Sequence, residues 1–125
     1  MSYDLMVFDP ASAPKDRDAF MAWYAAQTEW AEDHSYNDPT VSTPQLRAWF
    51  LEMIHHFPAM NGPYASEDDD EPRLTDYSVG RHVVYAAFPW SASDDAKRTV
   101  RALAMAHSVG FFEGSSDDSE LWFPE

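Results

Sequence analysis

Histidine and carboxylate side chains are the residues of this sequence that could bind a metal ion or transfer protons. The five histidines are His34, His55, His56, His82 and His107. A zinc site needs three or four ligands that converge on one point. His55 and His56 are adjacent in a predicted helix, where neighbouring side chains point about 100° apart, so they cannot hold one tetrahedral ion together. We interpret them as structural residues at the carbonyl end of a helix, which favours positive charge.

A second group of candidate ligands lies near the end of the first predicted helix. Glu29 and Asp33 are four residues apart, so they share a helix face, and His34 follows directly. Like charges at this spacing are more typical of a solvated helix end than of a metal site. The sequence has no GxSxG, HExxH or glycine-rich phosphate-binding motif, and we predict no catalytic residue, metal ligand or cofactor. A small hydrolase that uses a metal ion or dispersed carboxylates is the alternative interpretation.

The most acidic segment is the run Glu67-Asp68-Asp69-Asp70-Glu71. Its carboxylates are contiguous, whereas a calcium-binding loop alternates its ligands around a central glycine. We therefore interpret residues 59–73 as an exposed acidic loop that faces a partner. The chain has 22 acidic and 8 basic residues and a net charge of −14, and −9 remains without the run.

This charge restricts the kinds of partner that the protein can bind. Nucleic acids and anionic membranes attract basic surfaces, and the only basic cluster, Lys97, Arg98 and Arg101, follows Asp94 and Asp95. We predict no binding to nucleic acid or membranes. An acidic protein associates fast and in a salt-sensitive way with a basic one, so a basic protein is the expected partner.

Aromatic residues outside the predicted helices and strands are the candidate anchors of an interface. Trp90 follows Pro89, and Tyr64 lies in the acidic loop. Trp and Tyr side chains that remain at a surface are typical of protein–protein interfaces. The predicted partner-binding residues are Glu67, Asp68, Asp69, Asp70, Glu71, Trp90 and Tyr64.

The length and composition predict one domain, residues 1–125. The sequence is 45% hydrophobic and has no cysteine, so a core of ordinary size without disulfides is expected. The N-terminal residues do not form a basic region followed by an apolar stretch, and no segment approaches the length of a membrane-spanning helix. We expect a cytoplasmic protein of bacterial type.

Hydrophobic periodicity predicts three helices, at residues 14–31, 43–57 and 93–108. Pro14 opens the first. Thr43 is the expected N-cap of the second, with Pro44 in its first turn. Ser91 or Ser93 is expected to cap the third, and Gly110 lies just past its end. The second helix has the clearest apolar stripe, formed by Leu46, Trp49, Phe50, Met53, Ile54 and Phe57.

Five segments read as strands and complete the predicted fold. They are residues 3–8, 74–79, 82–88, Phe111-Phe112 and 121–123. The order β-α-α-β-β-α-β-β predicts an α+β fold with an antiparallel-rich sheet of four or five strands and three helices. Removal of the second helix and the last strand leaves βαββαβ, in which the helices cover one face of the sheet, so a ferredoxin-like strand order is one possibility.

Several short segments also resemble a known group of proteins. These are the opening Tyr3-Asp4-Leu5-Met6-Val7-Phe8, Phe57-Pro58 with Asn61-Gly62-Pro63, and Asp76-Tyr77-Ser78-Val79-Gly80. The sequence is similar there to small acidic, largely uncharacterised bacterial proteins, with a looser likeness to immunity proteins that neutralise toxins. The resemblance implies a bacterial cytosolic origin and supports the fold, and it assigns no functional residue.

The sequence therefore favours a non-catalytic binding protein that neutralises a basic protein through an acidic and aromatic surface. Both a monomer and a homodimer are compatible with it. In a homodimer, an edge strand at residues 3–8 or 119–123 would pair with its copy.

Overall fold

The computed structural model describes residues 2–32, 34–68, 70–114 and 120–124. The strands are β1 (Tyr3–Phe8), β2 (Asp76–Val79), β3 (Val83–Phe88), β4 (Gly110–Glu113) and β5 (Leu121–Trp122), and the α-helices are α1 (Arg17–Gln27), α2 (Pro44–Met53) and α3 (Ser93–Ala106). Short 3₁₀ turns occur at Pro39–Val41 and Trp90–Ala92. The α+β class and the predicted order of elements are confirmed. None of the described helices is both long and apolar enough to cross a membrane.

The sheet has the order β2-β3-β1-β4-β5, and each neighbouring pair is antiparallel. β1 lies between β3 and β4, and these four strands have the interleaved order of a ferredoxin-like sheet. The prediction that residues 3–8 form an edge strand is wrong, because both sides of β1 are paired within the chain. β5 lies at an edge of the described sheet, and residue 119 is outside the described residues.

Helices cover both faces of the sheet, whereas the sequence predicted one covered face. Leu5 and Val7 of β1 point toward α2 and α3 and form the larger core cluster. Met6 and Phe8 point the other way and pack against Phe20 of α1. The helix that departs from the βαββαβ arrangement is therefore α1, not the second helix. The apolar run of β1 fits this result, because a strand with buried residues on both faces needs cover on both.

The first two helices are shorter than predicted. Asp16, not Pro14, begins α1: it is the N-cap and accepts a hydrogen bond from the Ala19 N–H at 3.0 Å. α1 ends at Gln27, and Trp30 has a left-handed φ of 53°, which is rare for a bulky residue. Thr43 caps α2 as predicted, but the helix ends at Met53. Residues 54–57 form hydrogen-bonded turns that do not extend the helix. Pro58 disfavours helical backbone at the residue before it.

The ends of α3 also differ from the prediction. Neither Ser91 nor Ser93 caps the helix: Ala92 is the N-cap residue, without a side-chain hydrogen bond, and Ser93 is the first helical residue. At the other end Ser108, with a φ of 57°, takes the left-handed position at which glycine is usual. Gly110 lies in β4 instead, directly opposite Phe8.

Candidate functional site

Trp90, the predicted aromatic anchor, is 45% exposed in the 3₁₀ turn between β3 and α3. Its ring lies on the ring of Tyr3, with 5.2 Å between the centroids and 52° between the planes. Pro89 in front of it cannot donate a ladder hydrogen bond, so the strand ends there and the chain turns outward. Trp90 therefore presents a large apolar ring to solvent on a buried aromatic support.

The support under Trp90 is held by a polar network. The Tyr3 hydroxyl donates a hydrogen bond to the carboxylate of Glu113, which is buried. Lys97 Nζ lies 3.5 Å from Glu113 Oε1 and neutralises part of its charge. Burial, reinforced by the bond to Glu113, raises the pKa of the Tyr3 hydroxyl. Tyr3 is thus a neutral donor over the whole physiological range, and its ring position is fixed.

Met60 is a second exposed apolar residue at this surface, and the sequence reasoning missed it. It is 51% exposed, and its backbone N–H donates to the Thr75 carbonyl oxygen at 3.0 Å. With Leu74 and Pro89 it borders a shallow groove of about 360 Å³. No periodicity marks a methionine inside a polar loop, so the sequence signal was only one apolar residue among prolines and acids.

The described residues of the acidic run differ in exposure and make local hydrogen bonds. Glu67, Asp68 and Asp70 are exposed, Glu71 is half-buried, and Asp69 lies outside the described residues. The Asp68 and Glu71 carboxylates accept hydrogen bonds from backbone N–H groups at 3.0 and 3.1 Å, which shapes local turns.

Several contacts join residues 59–73 to the rest of the domain. Arg73 Nη2 lies 2.8 Å from Asp95 Oδ2 of α3, and its guanidinium sits 4.9 Å from the Phe57 ring centroid. Ala59, which begins the predicted exposed loop, is itself buried and bridges to Ala65 and Thr75. The segment just after the acidic run is therefore tied to the first turn of α3, which follows the 3₁₀ turn that carries Trp90.

Tyr64 occupies a different part of the surface. It is 44% exposed, and its ring meets Phe50 of α2 edge-on, at 6.0 Å and 83°. Trp90 packs on Tyr3 instead, so the two predicted anchors have separate supports. We define the Trp90 surface as Met60, Pro89 and Trp90 with the carboxylates of Asp94 and Asp95 and the acidic run that Arg73 joins to Asp95.

Of the candidate ligands near α1, His34 belongs to a structural cluster with Glu32. His34 Nε2 lies 2.5 Å from Glu32 Oε1, and the same oxygen accepts the Arg81 backbone N–H at 3.0 Å. The cluster clamps the loop after α1 to the turn between β2 and β3. Glu29 is not part of these contacts, and Asp33 lies outside the described residues. Within the described ranges, no group of three or more histidine and carboxylate side chains is placed to hold a metal ion.

The Glu32–His34 pair predicts a pH window of maximal stability. Burial alone would raise the pKa of Glu32, but hydrogen bonds from His34 and from the Arg81 backbone outweigh it and lower this pKa below 4.5. The backbone bond to Ser35, and then the bond to Glu32, raise the pKa of His34 above 6.5. Stabilisation by Glu32 is lost as the pH falls, and stabilisation by His34 is lost as the pH rises, so the pair stabilises most between pH 4.5 and 6.5.

We expect Glu32→Gln to remove about 1 kcal/mol of stability inside this window and less outside it. Urea denaturation midpoints from pH 4 to 8 would measure the effect, and Glu67→Gln in the exposed run is the matched control for loss of one charge. A constant difference between Glu32→Gln and wild type at every pH would contradict the prediction.

Comparison with known proteins adds no further assignment. No protein-family model matches the chain, and no curated protein and no solved structure is significantly similar to it.

Proposed function

We propose that this protein is a non-catalytic binding protein that neutralises a basic protein partner. The observation that carries the proposal is Trp90: a large ring that is half exposed, rests on the buried Tyr3 ring, and is followed by Asp94 and Asp95 in the first turn of α3. A protein of this size has ample space to bury one tryptophan, so its exposure at a supported position is typical of an interface anchor.

Charge would bring the two proteins together. The net charge of −14 gives a long-range attraction for a basic surface, and the acidic run concentrates part of it in one loop. Such attraction raises the association rate and fixes the orientation of approach, and it is screened by salt.

The apolar residues would then hold the complex. Trp90 and Met60 would lose water on docking, and the carboxylates of Asp94, Asp95 and the acidic run would surround them as a polar rim. A partner neutralised in this way would lose access to its own basic site, as expected for an immunity-type protein. The same surface favours a basic toxin or enzyme as the partner, and not a basic peptide without a fold, because a rigid anchor needs a preformed pocket.

The first step of the test is to identify the partner. A pull-down from the native cytosol at low and at high salt should retain a basic protein at low salt only.

We then expect two variants to act on different rate constants. With the acids of the run changed to Asn and Gln, which keep the acceptor oxygens, the on-rate should fall about tenfold at low salt while the off-rate stays nearly constant. Trp90→Ala should raise the off-rate about thirtyfold, as for a hot spot of about 2 kcal/mol. Surface plasmon resonance over a range of salt concentrations would measure both constants.

Met105→Ala is the matched control for Trp90→Ala, because Met105 is 62% exposed on α3 and lies outside the Trp90 surface. The denaturation midpoint of the neutralised variant should equal that of wild type, since the run offers no apolar anchor. Association that is independent of salt would contradict the proposal. Metal-dependent turnover that is lost with Glu29→Gln or His34→Ala would support the hydrolase alternative instead.

A further inference from the structure

We propose that the protein also binds a small organic ammonium cation, in a cleft on the α1 face of the sheet. The cleft has a volume of about 320 Å³ and lies between the end of α1 and strands β2 and β3. Its walls include Tyr24, Thr28, Trp30, Asp76, Ser78 and Tyr85. This volume is at the lower end of the range of small-molecule sites, which suits a ligand of a few carbon atoms.

Aromatic rings form two walls of the cleft at nearly right angles. The rings of Trp30 and Tyr85 have centroids 5.8 Å apart and planes inclined by 81°. Trp30 is held from behind by Tyr36, at 5.1 Å and 69°. The faces of such rings carry partial negative charge, and a corner of two or three rings is the arrangement that recognises alkylated ammonium groups.

The hydroxyl groups of the two tyrosines that line the cleft, Tyr85 and Tyr24, are neutral. The Tyr85 hydroxyl donates to Asp4 Oδ2 at 2.6 Å. Burial, and next the bond to Asp4, raise the pKa of Tyr85, and burial also raises the pKa of Tyr24. Both hydroxyl groups therefore stay protonated, and the partly buried Asp4 carboxylate adds negative potential next to the Tyr85 hydroxyl.

The charge of the cleft selects a cation. Asp76 lies at its mouth, with the hydroxyl groups of Ser78 and Thr28 nearby, and no lysine, arginine or histidine is among the described lining residues. A hard metal ion prefers several oxygen ligands, whereas this cleft offers one lining carboxylate and three rings. A weakly hydrated cation, which gains from both the carboxylate and the ring faces, fits this lining better than a metal ion or an anion.

Choline and its neutral carbon isostere 3,3-dimethylbutan-1-ol test the proposal, because they have the same shape and differ in charge. We expect choline to bind with a Kd of about 1 mM or tighter and the isostere at least about tenfold more weakly. ¹H–¹⁵N NMR titration would report the site through the Trp30 indole N–H signal, assigned with Trp30→Phe. Equal affinity for the two ligands, or no saturable shift up to about 20 mM choline, would overturn the proposal.

Matched variants locate the site. Asp76→Asn should weaken choline binding at least about fivefold, whereas Asp68→Asn, which removes one charge from the exposed acidic run, should leave it unchanged. An equal effect of both would mean that choline responds only to net charge and would overturn the proposal. Trp90→Ala should not alter choline binding, because Trp90 packs on Tyr3 on the opposite face of the sheet, so this test and the partner test fail independently.

Discussion

Replacement of Trp49 with alanine is expected to lower the free energy of unfolding by about 3–5 kcal/mol. Trp49 is fully buried between α2 and α3, and its indole N–H donates to the Val100 carbonyl oxygen at 3.5 Å. The substitution leaves a large cavity and removes this additional hydrogen bond to the helix backbone. Since small domains are stable by only about 5–15 kcal/mol, the variant should be partly unfolded near body temperature. Urea denaturation followed by circular dichroism would measure the loss.

Met105→Ala is the control for this prediction, because it removes a large apolar side chain from an exposed position of α3. Its cost should stay within about 0.5 kcal/mol. Trp49→Phe should lie between the two, since it keeps most of the volume and loses the hydrogen bond. A Trp49→Ala midpoint close to that of wild type would show that α2 and α3 do not pack through this residue.

Gly110→Ala is expected to cost about 3 kcal/mol or more, the upper end of overpacking effects. A Cβ atom at Gly110 would stand 2.2 Å from two carbon atoms of the Phe8 ring. The ring cannot move aside, because it is fully buried and packs against Phe20, Trp23 and Phe123. Phe8 thus fills the space that a side chain at position 110 would occupy.

A double-mutant cycle gives the sharpest form of this test. In a Phe8→Leu background the smaller side chain leaves room for the new methyl group, so Gly110→Ala should cost at least about 1 kcal/mol less than in wild type. Ser108→Gly, two positions before Gly110, is a control substitution to compare with Gly110→Ala. It should be neutral or stabilising by up to about 1 kcal/mol, because Ser108 holds the left-handed position. Additive costs for Phe8→Leu and Gly110→Ala would contradict the steric explanation.

Local patterns predicted the elements of the fold well. The apolar stripe from Leu46 to Phe57 predicted α2, and the runs at residues 3–8 and 82–88 predicted β1 and β3, because each pattern reflects which side chains must be buried. The boundaries were less accurate. Thr43 was predicted correctly as a cap, but Ser91 and Ser93 were not caps, since a preceding 3₁₀ turn changes the backbone that a cap requires.

The candidate site was predictable only in part. The exposure of Trp90 was expected from its place after Pro89, and the structure agrees. Met60 and the wall formed by Trp30 and Tyr85 were not expected, because their roles depend on residues far away in sequence. Tyr64 was named with Trp90 as a partner-binding residue, and the packing of its ring on Phe50 gives it a support of its own on α2.

The sequence by itself determined the α+β class, the order of the elements and the strong negative charge, because these follow from local hydrophobic periodicity and composition. Only the tertiary structure decided that α1 covers the second face of the sheet, that Phe8 occupies the space above Gly110, and that aromatic rings and Asp76 meet in one cleft. The physical reason is that strand pairing and side-chain packing join residues as far apart in the sequence as Leu5 and Glu113, and local patterns carry no information on which partners meet.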